Sequence, residues 1–176
     1  MEKKKLTAYL AGTECFYANG EELAKKAVEL CRQYGIEAIS PVLGEEGRDV
    51  DFSKGKHEAA KQIYNNDMYY LEKSDMIIAN LNPFRGFEPD SGTCVECGIA
   101  IALGKKCYAF TSDARSMKER YSGKTYTDEN GVVRDENGAF LEDFEMPFNL
   151  MINIPFTVVE GELEDILKVI KKDYDL

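Results

Sequence analysis

Two carboxylates, Asp90 and Glu96, stand close together in the run Asp90-Ser91-Gly92-Thr93-Cys94-Val95-Glu96-Cys97-Gly98. Such a pair can divide the work of a nucleophile and an acid/base between two groups. The segment before it, Asp75 to Leu81, is apolar and bounded by polar residues, as a buried parallel strand should be. The segment after it, Ile99 to Leu103, reads as helix and is ended by Gly104-Lys105-Lys106, with basic residues at the negative pole. Asp90 is thus expected near the carboxyl edge of a sheet, where open α/β folds bind ligands, and Glu96 in the first turn of the next helix. The same residues admit a plainer reading, because Thr93-Cys94-Val95-Glu96 is also a capping box in which Glu96 only satisfies backbone donors.

The longer context separates the two readings. Asn80-Leu81-Asn82-Pro83-Phe84-Arg85-Gly86-Phe87-Glu88-Pro89-Asp90-Ser91-Gly92-Thr93, the following Glu96-Cys97-Gly98 and the distant Pro147-Phe148-Asn149-Leu150-Met151 together resemble the nucleoside 2-deoxyribosyltransferase family, nearest its trypanosomatid-like branch. The resemblance runs from about Tyr9 to Met151. It implies that Glu96 attacks the anomeric carbon of a 2′-deoxynucleoside and that Asp90 handles the proton of the departing base. It further implies substrate-binding roles for Asp67, Gly92, Asn149 and Met151, the last two reaching into a neighbouring subunit's site. The partners it implies are a 2′-deoxynucleoside donor, a free nucleobase acceptor and at least one further copy of the chain in a homo-oligomer. No metal or organic cofactor is implied.

The chemistry accounts for these residue types. Breaking an N-glycosidic bond builds positive charge on the sugar, which a carboxylate on one face stabilises and then traps covalently. Two inversions give retention, as in retaining glycosidases. A helix N-terminus should favour the ionised form of Glu96, while Asp90, close to another carboxylate, should resist ionising. In the loop after the first strand, Gly12 permits close backbone approach to a ligand and Phe16 can stack on a base or pack in the core. Thr13 and Glu14 stand where many relatives carry a proline after the glycine. Arg85 is read either as a clamp on Glu88 or Asp90 or as a phosphate contact. Two other functions remain open: an N-glycoside hydrolase using the same glutamate, and a noncatalytic nucleotide-sensing module.

Elements that must position these residues alternate along the chain. Strands are expected at Leu6 to Ala11, Ile36 to Ser40, near Met76, Cys107 to Thr111 and Phe156 to Val159. Helices are expected at Glu21 to Tyr34, His57 to Glu72, after Asp90, at Ala114 to Tyr121 and at Leu163 to Lys172. This predicts an α/β fold, a flavodoxin-like doubly wound parallel sheet of about five strands with helices on both faces, in a single domain spanning residues 1–176. Residues 122–145 interrupt the pattern with Asp-Glu-Asn-Gly at 128–131 and again at 135–138. They read as an inserted hairpin or lid and not as a calcium loop.

Composition excludes several classes. A formal net charge of −10 argues against a nucleic-acid surface. The triplet Lys3-Lys4-Lys5 reads as a solvated terminus. No apolar run approaches a membrane span and no signal peptide is evident, so a cytoplasmic protein is expected. The five cysteines read as reduced thiols, and Cys94-Val95-Glu96-Cys97 has neither a second pair nor a nearby histidine to make it a metal site. His57, in a charged run, reads as a surface residue.

Overall fold

The computed structural model describes residues 5–176. Lys3 and Lys4 of the basic triplet lie outside them. The order is β1 (Leu6–Ala11), α1 (Gly20–Gln33), β2 (Ile36–Ile39), α2 (Lys56–Lys73), β3 (Met76–Asn80), α3 (Ser91–Ala102) and β4 (Lys106–Thr111). There follow α4 (Met117–Arg120), β5 (Thr125–Thr127), β6 (Val133–Asp135), α5 (Leu150–Asn153), β7 (Thr157–Glu160) and α6 (Leu163–Tyr174). The strands β2-β1-β3-β4-β7 form one parallel sheet, doubly wound and flavodoxin-like as the alternation predicts. Among the described residues no helix is long and apolar enough to cross a membrane.

The period-two alternation of the strands divides the core into two layers. Tyr9, Ala11, Ile77, Ala79 and Ala109 face one side, against α2 and α3. Ala8, Met76, Ile78, Tyr108 and Phe110 face the other, where Ile166, Leu167 and Ile170 of α6 cover them together with Cys31 of α1. Because both faces are covered, the central strands are apolar almost throughout, and polar side chains at their carboxyl ends stand out. Asn80 is one of these.

Within residues 122–145 a small two-stranded sheet stands apart from the main one. Strands β5 and β6 pair antiparallel, and Arg134 bridges on to Phe140. Each Asp-Glu-Asn-Gly repeat is a turn of the same construction. The Oδ1 atoms of Asp128 and Asp135 accept from backbone N–H groups two and four residues ahead, and Gly131 and Gly138 take positive φ. The loop between β3 and α3 is held from outside by Arg120 of α4. Its guanidinium donates to Phe87 O at 2.7 Å and Glu88 Oε1 at 3.1 Å, and Tyr121 adds a bond to the same oxygen. The clamp expected of Arg85 therefore belongs to Arg120. Arg85 itself adopts a left-handed backbone, and its guanidinium lies over the rings of Phe84 and Phe16.

Candidate active site

Helix α3 begins one residue after Asp90, which is its N-cap: Oδ2 accepts from Thr93 N at 3.0 Å. The capping box that Thr93 and Glu96 offered as the plainer reading is not formed, and Glu96 sits in the second turn rather than the first. The shift has a steric reason. Thr93, Cys97 and Ala100 are the buried stripe of α3, and Glu96 shares that stripe by i+3 and i+4 spacing, so its side chain runs inward along the sheet. There the Tyr9 hydroxyl, on the facing surface of β1, donates to Glu96 Oε1 at 2.5 Å.

Helix α2 supplies the second acid in the same way. Ala59, Tyr70 and Leu71 mark its buried face, and Ile63 and Asp67, spaced i+4 from Ala59 onward, lie on that same face and line the cleft. A cleft of about 250 Å³ opens here across the carboxyl edge of the strands. Glu96 and Asp67 line it, with Gly12, Glu14 and Cys15 of the loop after β1, Asn80 at the end of β3, and Ser40, Pro41 and Val42 after β2. Most of the remaining wall is apolar.

Burial governs the electrostatics. It raises the Glu96 carboxyl to about 7; the Tyr9 bond opposes this, and the charges of Asp67 and Asp90 add to it. Ionisation is therefore disfavoured at Glu96, contrary to the expectation from the helix N-terminus, because the side chain lies a turn beyond the pole and away from water. Burial also raises the Asp67 carboxyl, to about 6. No hydrogen bond from the described residues reaches the Asp67 carboxylate. The phenol of Tyr9 is held far above its ordinary value by burial and by Glu96, so it stays a donor.

The other expected residues are distributed differently. Gly12 lines the cleft, but the space of its missing side chain is filled: a Cβ there would collide with Glu14 Oε2 and lie 3.0 Å from Asn80 Cβ. Phe16 is half exposed at the rim and stacks on Phe84 at 5.1 Å, so it neither lines the cleft nor packs in the core. Gly92 lies exposed in the first turn of α3, where a Cβ would approach Asp90 Oδ2 at 2.9 Å. Asn149 caps α5, accepting from Met151 N at 3.0 Å and donating to Glu142 Oε2 at 2.7 Å. Met151 on α5, a short helix beside α3, and Ile154 just past its end are apolar yet 69% and 68% exposed. In the same segment Phe148 is fully buried. Cys94 and Cys97 are free thiols in successive turns of α3.

Sequence reasoning missed Tyr9 and Asn80. The signal for Tyr9 was a phenol inside a central strand, which needs a hydrogen-bond partner when buried. For Asn80 it was an amide closing an otherwise apolar strand.

The chain as a whole has counterparts among known proteins. A 2-deoxyribosyltransferase from Leishmania mexicana is similar over 97% of this chain and 99% of its own, with a TM-score of 0.74 and 28% identity. A 2-deoxyribosyltransferase from Bacillus psychrosaccharolyticus shares the fold at 20% identity and a TM-score of 0.58, covering 92% of this chain and 90% of that one. An uncharacterised protein of Schizosaccharomyces pombe is 34% identical over 113 residues, which are 64% of this chain and 53% of that protein, so the match spans about half the length of that relative. The sequence profile of the nucleoside 2-deoxyribosyltransferases matches residues 8–151, a stretch that holds Tyr9, Asp67, Glu96 and Asn149 alike, and by that match the chain belongs to this family.

Proposed function

We propose that the protein exchanges the base of a 2′-deoxynucleoside through a covalent deoxyribosyl intermediate on Glu96. The observation that carries this reading is the cleft in which Glu96, oriented by Tyr9, shares a sheet-edge pocket with Asp67. Ionised Glu96 attacks C1′ through a carboxylate oxygen. The C1′–N bond breaks, its electron pair leaves with the base, and a carboxyl proton from Asp67 neutralises that base. In the second half the acceptor base yields its N–H proton to Asp67 and attacks C1′, and the bond to Glu96 breaks to restore the carboxylate.

Asp67 takes the proton role here because it lines the cleft with a raised pKa and, among the described residues, takes no hydrogen bond. Asp90, the residue expected to handle the proton, is read as holding the N-terminus of the helix that carries Glu96. The exposed Met151 and Ile154 support a role for α5 in pairing two copies, which would bring Asn149 and Met151 to a neighbouring site.

Incubation with 2′-deoxyinosine and adenine, followed by chromatography, tests the reading. New 2′-deoxyadenosine is expected. Free hypoxanthine with deoxyribose would mark a hydrolase instead, and absence of turnover would mark a binding module. Enzyme held with donor alone should carry a deoxyribosyl adduct on the peptide containing Glu96.

A further inference from the structure

Glu14 belongs to a constellation that bond cleavage does not require. Its Oε1 accepts from Asn80 Nδ2 at 3.1 Å. Asn80 Oδ1 in turn accepts from the backbone N of Asn82 at 3.2 Å and from its Nδ2 at 2.8 Å. The chain of bonds ends where Asn82 Oδ1 accepts from Ser112 N at 2.7 Å, just past β4. A relay of amides thus runs across the sheet edge and fixes one carboxylate oxygen of Glu14. The other, Oε2, takes no hydrogen bond from the described residues and lies over Gly12, a lining residue of the cleft that holds Glu96 and Asp67.

Apart from Asp67, Asn80, Ser40 and Cys15, the rest of the cleft is largely apolar. Leu10, Ala24, Ala27, Val42 and Ile63 give it apolar walls, suited to the faces of a flat ring. A base held between them, its glycosidic carbon at Glu96, meets at Glu14 a group that only accepts hydrogen bonds. Asn80 occupies a single lone pair of Oε1, so both oxygens can still take a donor.

We propose that Glu14 reads the edge of the base and selects bases that present two adjacent N–H donors, as guanine does at N1 and N2. This inference rests on the transferase reading for the position of the sugar. Two parallel N–H groups match a carboxylate in the bidentate manner that makes charge-assisted pairs both strong and geometrically selective. Hypoxanthine offers N1–H alone. Adenine turns a lone pair at N1 toward the carboxylate and keeps only its 6-amino donor, so it pairs through a single bond and is the weaker but still usable acceptor.

The test compares 2′-deoxyguanosine with 2′-deoxyinosine as donors to adenine, since their bases differ only in the 2-amino group. The native enzyme should favour 2′-deoxyguanosine by at least tenfold in kcat/KM. Glu14→Gln keeps the side chain's size but pairs through one donor and one acceptor with the O6/N1–H edge that both bases share. The preference should therefore fall below threefold whatever the absolute rates, with the melting temperature preserved. Equal kcat/KM in the native enzyme, or a preference that survives in Glu14→Gln, overturns the assignment while leaving transfer intact. If neither nucleoside is turned over, the transferase reading fails by itself. Calorimetric binding of both nucleosides to the native protein and to Glu14→Gln then decides the role of Glu14 by the same ratio, and equal affinities for the native protein overturn it.

Discussion

The hydroxyl of Tyr9, in the middle of the first strand, donates to Oε1 of Glu96, in the second turn of the third helix, at 2.5 Å. The bond ties a strand to a helix far from it in sequence, and it acts against the burial that raises Glu96. Replacing Tyr9 by Phe should therefore raise the Glu96 pKa further. The acid limb of the kcat/KM profile should move up by about one pH unit, the scale of a lost hydrogen bond to a charged group. Relative to the native enzyme, exchange then falls about tenfold at pH 6, and the ratio returns toward one above pH 8. A Tyr9→Phe profile superimposable on the native one would show that the phenol does not tune the nucleophile.

Glu96 should also limit stability. Its carboxyl stands at about 7 in the fold against an ordinary value of 4.5, so between those values the native state holds more proton than the unfolded chain, and stability falls as pH rises. Above pH 7 the whole penalty is present, and below pH 4.5 it is absent. Glu96→Gln keeps an acceptor for Tyr9 without the charge. Denaturant titrations should find it more stable than the native protein by on the order of 2 kcal/mol at pH 8.5, with the gap closing toward pH 4.5. A gap that does not depend on pH would contradict the raised pKa.

Activity should peak between the two carboxyls. In the proposed exchange Glu96 acts ionised and Asp67 protonated, and with values of about 7 and about 6 the productive form is a minority species centred near pH 6.5. The two limbs belong to the coupled pair, since Asp67 and Asp90 both act on Glu96. Asp67→Asn should abolish the alkaline limb, leaving a lower rate that rises with pH to a plateau. Donors with readily departing bases should suffer least. If Asp90→Asn rather than Asp67→Asn removes that limb, the proton role returns to Asp90.

Shared sites make a separate prediction. Glu96→Ala and Asn149→Ala proteins, each inactive, should recover activity when mixed under conditions that exchange subunits. A mixed pair contains one site with both native residues. Recovery should approach a quarter of native activity in a random equal mixture, from pair statistics alone. Exchange without recovery, or full activity in a monomer, would remove Asn149 from the neighbouring site.

Legibility in the sequence followed the local physics. The alternation of strands and helices was readable because each buried element leaves a periodic apolar pattern, and the boundaries moved mainly where short segments set them. Residues 114–121 yielded only the four-residue helix Met117–Arg120, because its capping box belongs to Ser116 and Glu119. Asp90 and Glu96 were recognisable as a pair, but their division of labour was not. Whether Asp90 or Thr93 caps the helix changes which turn Glu96 occupies, and that decides its burial. Phe16 illustrates the remaining limit. An aromatic ring can serve a base, a core or another ring, and only the positions of Phe84 and Arg85 select the third.

The carboxylate folded over Gly12 also constrains how this loop can change by descent. An alanine at position 12 would collide with Glu14 Oε2, although its backbone there is not in the left-handed region. Once Glu14 has been shortened, only the 3.0 Å approach to Asn80 Cβ remains to be relaxed. The two substitutions are therefore coupled: with glutamate at 14, an alanine at 12 obliges the carboxylate to swing aside and strain its bond to Asn80, at a cost of about 1 kcal/mol, and with a shorter residue at 14 it does not. Lineages that keep Glu14 should keep Gly12, whereas those that abandon the carboxylate are free to drift at both sites.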